Sequence, residues 1–161
     1  MRILAIDPGY ERIGIAILDK QQPRDILVYS ECFKTSARDA FEKRLCDIGL
    51  KISSIIDAFS PEVLAIETLF LNTNQKTAMR VSEARGVIIY EAAKRTLRVE
   101  EFTPLEIKVA TLGYGRGDKK SIMSMVPKLV TIKKAIKHDD EFDAIAAGIT
   151  CSAHNRIGRL R

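Results

Sequence analysis

The feature that most restricts the fold is a change of hydrophobic period near residue 36. Before it, three short runs rich in β-formers (2–6, 13–18 and 26–33) follow one another across brief, turn-like connections. Strands joined so closely pair antiparallel, because a parallel return needs a crossover of about a dozen residues. After it, Phe41, Leu45, Ile48, Ile52, Ile55 and Ile56 recur at helical spacing, and the pattern predicts a helix over 36–59 capped by Ser36. Pro61 stops that helix, and a nearly all-apolar fourth strand follows at 63–66. A strand reached across a helix is placed to pair in parallel, so strand four belongs beside strand one. Further along, the sequence predicts a helix over 75–95, a strand over 98–102 and a short helix after Pro104. A glycine-rich loop over 113–117, a basic helical stretch from Asp118 and a last helix from 139 or 140 to about 154 complete the chain. The expected class is α/β, a mixed sheet with helices on both faces.

A chain of 161 residues without repeats, low-complexity tracts or a linker is expected to form one domain, 1–161. Hydrophobic residues make up 46% and aromatics only 6%, so aliphatic side chains must fill the core. The net charge of +5 is compatible with a polyanionic partner and also with none. Cys32, Cys46 and Cys151 lack paired spacing, and with only His138 and His154 beside them a structural zinc site is not expected. The N-terminus reads as a strand and not a signal, and no apolar run approaches the roughly 20 residues of a membrane span. A cytoplasmic protein without a membrane partner is the expectation.

Four acids carry the chemistry. Asp7 closes the first strand and Glu67 the fourth, so both emerge at the edge where the chain direction switches, a place where ligands collect. Asp140 and Asp143 stand three residues apart, on one face of the last helix. Such a cluster repels itself unless cations neutralise it, and hard oxygen ligands suit Mg²⁺ or Mn²⁺. Two ions about 3.5–4 Å apart would clamp a phosphodiester for in-line attack by an activated water. Each acid also has a plainer reading. Asp7 before Pro8-Gly9 is a turn residue, Glu67 a solvated strand end, and Asp139, Asp140 and Glu141 complement a helix N-terminus. For Asp139 and Glu141 the plainer reading is preferred. Asp143 borders the small-residue stretch Ala144-Ile145-Ala146-Ala147-Gly148, where a carboxylate needs a partner.

Taken together, Ile6-Asp7-Pro8-Gly9, Glu67-Thr68-Leu69-Phe70, Asn74 through Thr77-Ala78, Glu83-Ala84-Arg85-Gly86-Val87 and Asp140-x-x-Asp143-Ala144-Ile145-Ala146 resemble the RuvC family in type, order and spacing. The resemblance spans essentially the whole chain. It implies a ribonuclease-H-like five-stranded mixed sheet in the order 3-2-1-4-5. It also implies a homodimeric, Mg²⁺-dependent endonuclease that cuts opposed strands of four-way junction DNA. Two Mg²⁺ per site, with Mn²⁺ as a substitute, would be held by Asp7, Glu67, Asp140 and Asp143 as catalytic acids. Phe70 takes the place of an aromatic that stacks at the junction, and Lys108 and Lys119 match basic positions near the scissile phosphate. A branch-migration motor is a further possible partner. Two departures stand out: Ile13 occupies a place where many members carry Thr, and Pro127 interrupts a helical pattern. The segment Glu11-Arg12-Ile13-Gly14-Ile15-Ala16 is closer to the related YqgF family, which acts on RNA precursors.

Basic residues Arg116, Lys119, Lys120, Lys128, Lys133, Lys134 and Lys137, with Arg156, Arg159 and Arg161, crowd the last third, and Arg80 and Arg85 lie on the long helix. They read as a solvated face or as a rim for DNA phosphates, and DNA contact is preferred, for Arg80, Arg85, Arg116, Lys119 and Lys120 in particular. Val81, Ala84, Val87 and Ile88 read equally as core or as a dimer contact. The loop at 113–117 is not a phosphate cradle, because Asp118 separates Gly117 from Lys119. No nucleotide cofactor is expected: a sugar-kinase or actin-like ATPase needs two such domains, and 161 residues provide one. The remaining alternatives are an RNA-directed nuclease of the same fold and an inactive junction-binding module.

Overall fold

The short connections produce the meander they demand. In the computed structural model, which describes residues 1–69 and 75–157, β1 (Arg2–Asp7), β2 (Arg12–Asp19) and β3 (Asp25–Lys34) pair antiparallel in sequence order. Helix α1 (Phe41–Phe59) returns the chain to β4 (Val63–Glu67), which lies parallel to β1 on its free side. Helix α2 (Gln75–Lys94) then crosses to β5 (Arg98–Phe102), parallel to β4. Helices α3 (Pro104–Leu112), α4 (Lys119–Leu129) and α5 (Asp139–Ile157) complete the fold, with the two-residue β6 (Val130–Thr131) after α4. The sheet order is β5-β4-β1-β2-β3-β6. The expected 3-2-1-4-5 order is present and extended by β6, which pairs with Asp25 and Ile26 and is too short to carry a readable period.

Alternate residues of the central strands sort onto two faces. Ile3, Ala5, Ala16, Leu18, Val63 and Ala65 face α3, α4 and α5, whereas Leu4, Ile6, Ile13, Ile15, Ile17, Leu64 and Ile66 face α1 and α2. Burial on both sides is why β1 and β4 read as continuous apolar runs. On the α1–α2 side, Ile48, Ile52 and Ile88 fill the space with branched side chains; Ala84 and Ile88 of α2 are fully buried core, whereas Val81 and Val87 are only half-buried. On the other side α5 presents Ala144, Ala146, Ala147 and Gly148. A Cβ at Gly148 would stand 2.6 Å from Leu18 Cδ1 and 3.1 Å from Ala5 Cβ, so the helix lies close against β1 and β2.

Local signals explain most boundaries. Thr103 and Glu106 cap α3 reciprocally, the Glu106 N–H donating to Thr103 Oγ1 at 3.2 Å and the Thr103 N–H to Glu106 Oε2 at 2.7 Å. Asp118 caps α4 by accepting from the Ser121 N–H at 2.8 Å. Pro127 lies in the last turn of α4, which ends two residues later as the chain turns extended into β6. One expectation fails: Ser36 does not cap α1. Its hydroxyl accepts from the Arg38 N–H at 3.2 Å within a turn, and the helix starts at Phe41 after Ala40, without a side-chain cap. The first apolar residue of the helical pattern marks the true start.

Candidate active site at the carboxyl edge of the sheet

Parallel pairing of β1 and β4 runs in register from Ile3↔Val63 to Ile6↔Ile66, so Asp7 and Glu67 follow at adjacent strand ends. Alternation matters here. Ala5 and Ala65 face α5, and two residues further on Asp7 and Glu67 are placed towards the same side. The first two turns of α5 bring Asp139, Asp140, Glu141 and Asp143. Gly14, paired with Asp7 across β2, makes the meeting possible. A Cβ at Gly14 would stand 2.0 Å from the Asp140 carbonyl oxygen and 3.1 Å from Asp7 Cβ. Only a residue without a side chain lets α5 come down onto the strand ends here. Ile13, the departure from Thr, is fully buried on the α1–α2 face and belongs to the core.

The acids are crowded enough to disturb one another. Burial, then the charges of Asp143, Glu67 and Asp140, hold the Asp7 carboxyl well above its ordinary range, with partial relief from Lys119. Glu67 is pushed up to about 6, first by burial and then by Asp143, against an opposing pull from Lys108. Burial also raises Asp143, outweighing its hydrogen bond from Lys119. Carboxyl groups that resist ionisation because they are buried, and because they face each other, are the groups a divalent cation would relieve.

Two cations of the chain stand at this cluster. Lys119 Nζ lies 2.7 Å from Asp139 Oδ2 and 3.0 Å from Asp143 Oδ2. Arg12 Nη2 donates to Asp139 Oδ1 at 2.8 Å and also to Asp140, whose Oδ2 accepts from Cys32 Sγ at 3.4 Å. Asp139 therefore bridges both cations, and the Lys119 hydrogen bond holds its carboxyl far below the usual range. Among the described residues no three His, Cys, Asp or Glu stand together in an arrangement that could hold a metal ion. The donor set nonetheless fits hard divalent ions, since Asp7, Glu67, Asp140 and Asp143 offer carboxylate oxygens from three elements around one edge. Beside the acids lies a cleft of about 310 Å³ lined by Glu67, Asp143, Lys108 and Lys119, walled by Pro104, Ile107 and Ile122.

Sequence reasoning did not single out Arg12 or Gly14, because neither shows its role until α5 is docked. Glu141, read there as an ordinary helix N-terminal acid, is buried and anchors the start of α5. Ser30 Oγ donates to it at 2.6 Å, Lys134 Nζ stands 3.0 Å away, and the backbone N–H groups of Lys137 and His138 donate to it at 3.2 and 3.3 Å. Lys134 is thereby tied to the start of α5, although its side chain remains 43% exposed. Arg85 differs in the same way. Its Nε donates to the Glu67 carbonyl at 3.1 Å and its Nη2 pairs with Glu101, so it ties α2 to the ends of β4 and β5. Lys108 and Lys119 border the cleft, Arg116 and Lys120 are exposed on the loop and helix nearby, and Arg80 lies over the ring of Phe41. Phe70 and Asn74 lie outside the described residues, as do Arg159, Arg161 and the side chain of Arg156.

Comparison with known proteins places this geometry in context. The family described as crossover junction endodeoxyribonuclease RuvC matches residues 3–151. A curated protein of that name from Alkaliphilus metalliredigens is 40% identical over 96% of this chain and 94% of its own. One from Finegoldia magna is 41% identical over 92% and 91% respectively. Among solved structures, Thermus thermophilus RuvC in complex with a Holliday junction substrate superposes with a TM-score of 0.91 at 26% identity, covering 98% of this chain and 96% of that one.

Proposed function

The chain belongs to the RuvC family of crossover junction endodeoxyribonucleases, and from that membership we propose that it resolves four-way (Holliday) DNA junctions by metal-dependent hydrolysis of two opposed strands. The observation that carries the reading is the meeting of Asp7, Glu67, Asp140 and Asp143 at one sheet edge, with carboxyl groups at three of these positions raised by burial and mutual repulsion. These four would hold the divalent ions, two Mg²⁺ per site with Mn²⁺ able to substitute. When bound, the ions supply an activated water and stabilise charge on the entering and leaving oxygens.

The chain's own residues do the rest. Asp139 keeps Lys119 and Arg12 beside the acids, so that positive charge is at hand for a phosphate once the metal ligands are occupied. Lys108, across the cleft from Lys119, offers a second contact to the same strand. Phe70, Arg116 and Lys120 are proposed as contacts to the junction around this centre, whereas Arg85 acts by positioning the end of β4. Because a symmetric junction needs two cuts, a homodimer is proposed. Exposed Leu50 and Tyr90 beside a cleft between α1 and α2 are a candidate contact. A cytoplasmic location is proposed, where a branch-migration motor would deliver the junction to the enzyme. No helix among the described residues is long and apolar enough to cross a membrane.

The test is incubation of the purified protein with a mobile four-way junction, a matched duplex and a structured RNA, each with Mg²⁺ and with EDTA. Paired nicks in opposed strands of the junction alone, dependent on Mg²⁺, are expected. Cleavage of the RNA in preference would move the reading to an RNA-directed nuclease, and junction binding without any cut would reduce it to a binding module.

A further inference from the structure

On the far side of the sheet from the Lys108–Lys119 cleft, a second groove of about 200 Å³ opens at the same edge, lined by Tyr10, Phe41, Arg44, Lys76, Thr77 and Arg80. Tyr10 stands three residues beyond Asp7 on the β1–β2 connection and packs against the α1–α2 core. The catalytic acids thus lie between two cation-bearing recesses, one on each face.

The groove is built rather than incidental. Arg44 is buried, with Nε donating to Thr35 Oγ1 at 2.9 Å and Nη2 to the Tyr10 carbonyl at 3.0 Å, and its guanidinium lies 4.8 Å from the Tyr10 ring centroid. Thr35 Oγ1 in turn donates to the same Tyr10 carbonyl at 2.6 Å, which pins the loop after Asp7 to the end of β3. Tyr10 and Phe41 meet edge to face at 6.0 Å, and the Arg80 guanidinium is stacked 3.8 Å over Phe41. Stacking of this kind holds the guanidinium plane and leaves its N–H edge to one side.

The acids nearby do not neutralise these cations firmly. Arg44 and Glu11 stand 3.9 Å apart and Arg80 and Glu83 3.8 Å, with Glu11 61% and Glu83 49% exposed. Such exposed pairs are worth about 0–1 kcal/mol and yield to a phosphate, which takes charge-assisted bonds at about 2.7–2.9 Å. Lys76, exposed at the lip, makes the groove net positive. Aromatic rings beside a planar cation and a lysine are the combination that holds a nucleic-acid strand by its backbone and by stacking.

We propose that this groove is a second backbone-phosphate site, which takes the cleaved strand, or the strand exchanging with it, on the side of the acids opposite Lys108 and Lys119. The proposal rests on the junction-nuclease reading and adds a path for the DNA across the edge of the sheet. It is tested with Lys76→Ala and Arg80→Ala, singly and together, and with Lys94→Ala at the other end of α2, roughly 27 Å away at 1.5 Å per residue. Binding of a labelled four-way junction is measured by anisotropy in EDTA between about 50 and 200 mM KCl. The double variant, with an unchanged thermal midpoint, is expected to bind roughly ten-fold more weakly and to lose about 1–2 from the slope of log affinity against log salt, whereas Lys94→Ala changes neither. Equal affinity and slope for wild type and the double variant would overturn the site while leaving the junction reading intact. Equal losses in the double variant and Lys94→Ala would assign the effect to overall charge and also overturn it. A wild type that binds no junction would remove both readings.

Discussion

The two faces of the central sheet are built to different ends. Behind the α1–α2 face, branched side chains such as Ile48, Ile52 and Ile88 interlock with Leu4, Ile15 and Ile66 and hold the strands rigid. On the α5 face the helix offers Ala144, Ala146, Ala147 and Gly148, and Gly14 and Ala5 receive it. The first face provides stability through apolar volume. The second uses small residues so that one helix terminus reaches two strand ends, and it gathers acids there at an electrostatic cost. The comparison teaches that the site is positioned by close approach on one side and by a stiff backing on the other.

The sharpest break in that comparison comes from the acids. Asp7→Asn or Glu67→Gln should lower junction cleavage by about 10³-fold or more while binding in EDTA survives. Without metal, Asp7→Asn should also raise the thermal midpoint slightly. The Asp7 carboxyl is raised in the fold, so ionisation above its unfolded value weakens the native state, and an amide escapes that loss. Cleavage equal to wild type in Asp7→Asn would remove the site as drawn.

A backbone test separates the faces. Gly14→Ala must displace the Asp140 carbonyl, so it should cost about 1–3 kcal/mol and lower cleavage by about 10²-fold through misplacement. Ile88→Val, on the opposite face, should cost about 0.5–1.5 kcal/mol and leave the rate of folded enzyme unchanged. Unfolding curves and single-turnover rates on the same samples decide between them. A similar rate loss for both would mean that the faces are not functionally distinct.

Proton competition gives a smaller effect. Glu67 is pushed up to about 6 and Asp7 is raised as well, and a ligand must be ionised, so Mg²⁺ affinity should fall as the pH drops through that range. Calorimetric titration at pH 5 and pH 7.5 should show an apparent difference on the order of ten-fold. A flat profile would take Glu67 out of the metal site. Smallest of all, Arg12→Ala should free Asp139 and Asp140 and tighten Mg²⁺ binding a few-fold in the same titration; weaker binding would show that Arg12 orders the acids and does not compete for them.

Much of the α5 face was legible before any coordinates. The strand-end positions of Asp7 and Glu67 follow from apolar runs that stop at them, and the three-residue step from Asp140 to Asp143 puts both on one side of a helix. The crossover logic also placed β4 beside β1. What could not be read depended on distant partners. Asp139 and Glu141 looked like ordinary N-terminal acids, yet one bridges Arg12 and Lys119 and the other is buried on Ser30 and Lys134. The bond from Arg85 to the Glu67 carbonyl could not be read either, because it exists only once α2 is packed. Ser36 misled because a serine hydroxyl closes turns as readily as it caps helices. β6 pairs only two residues and leaves no pattern to find.

On the proposed reading, α5 and the ends of β1 and β4 together form one divalent-metal site. The most direct measurement is anomalous diffraction from crystals of the protein soaked in Mn²⁺. Mn²⁺ is expected to be bound by carboxylate oxygens of Asp7, Glu67, Asp140 and Asp143, with Arg12 and Lys119 withdrawn from Asp140 and Asp143. Mn²⁺ bound without any ligand from α5, or held elsewhere on the surface, would contradict it.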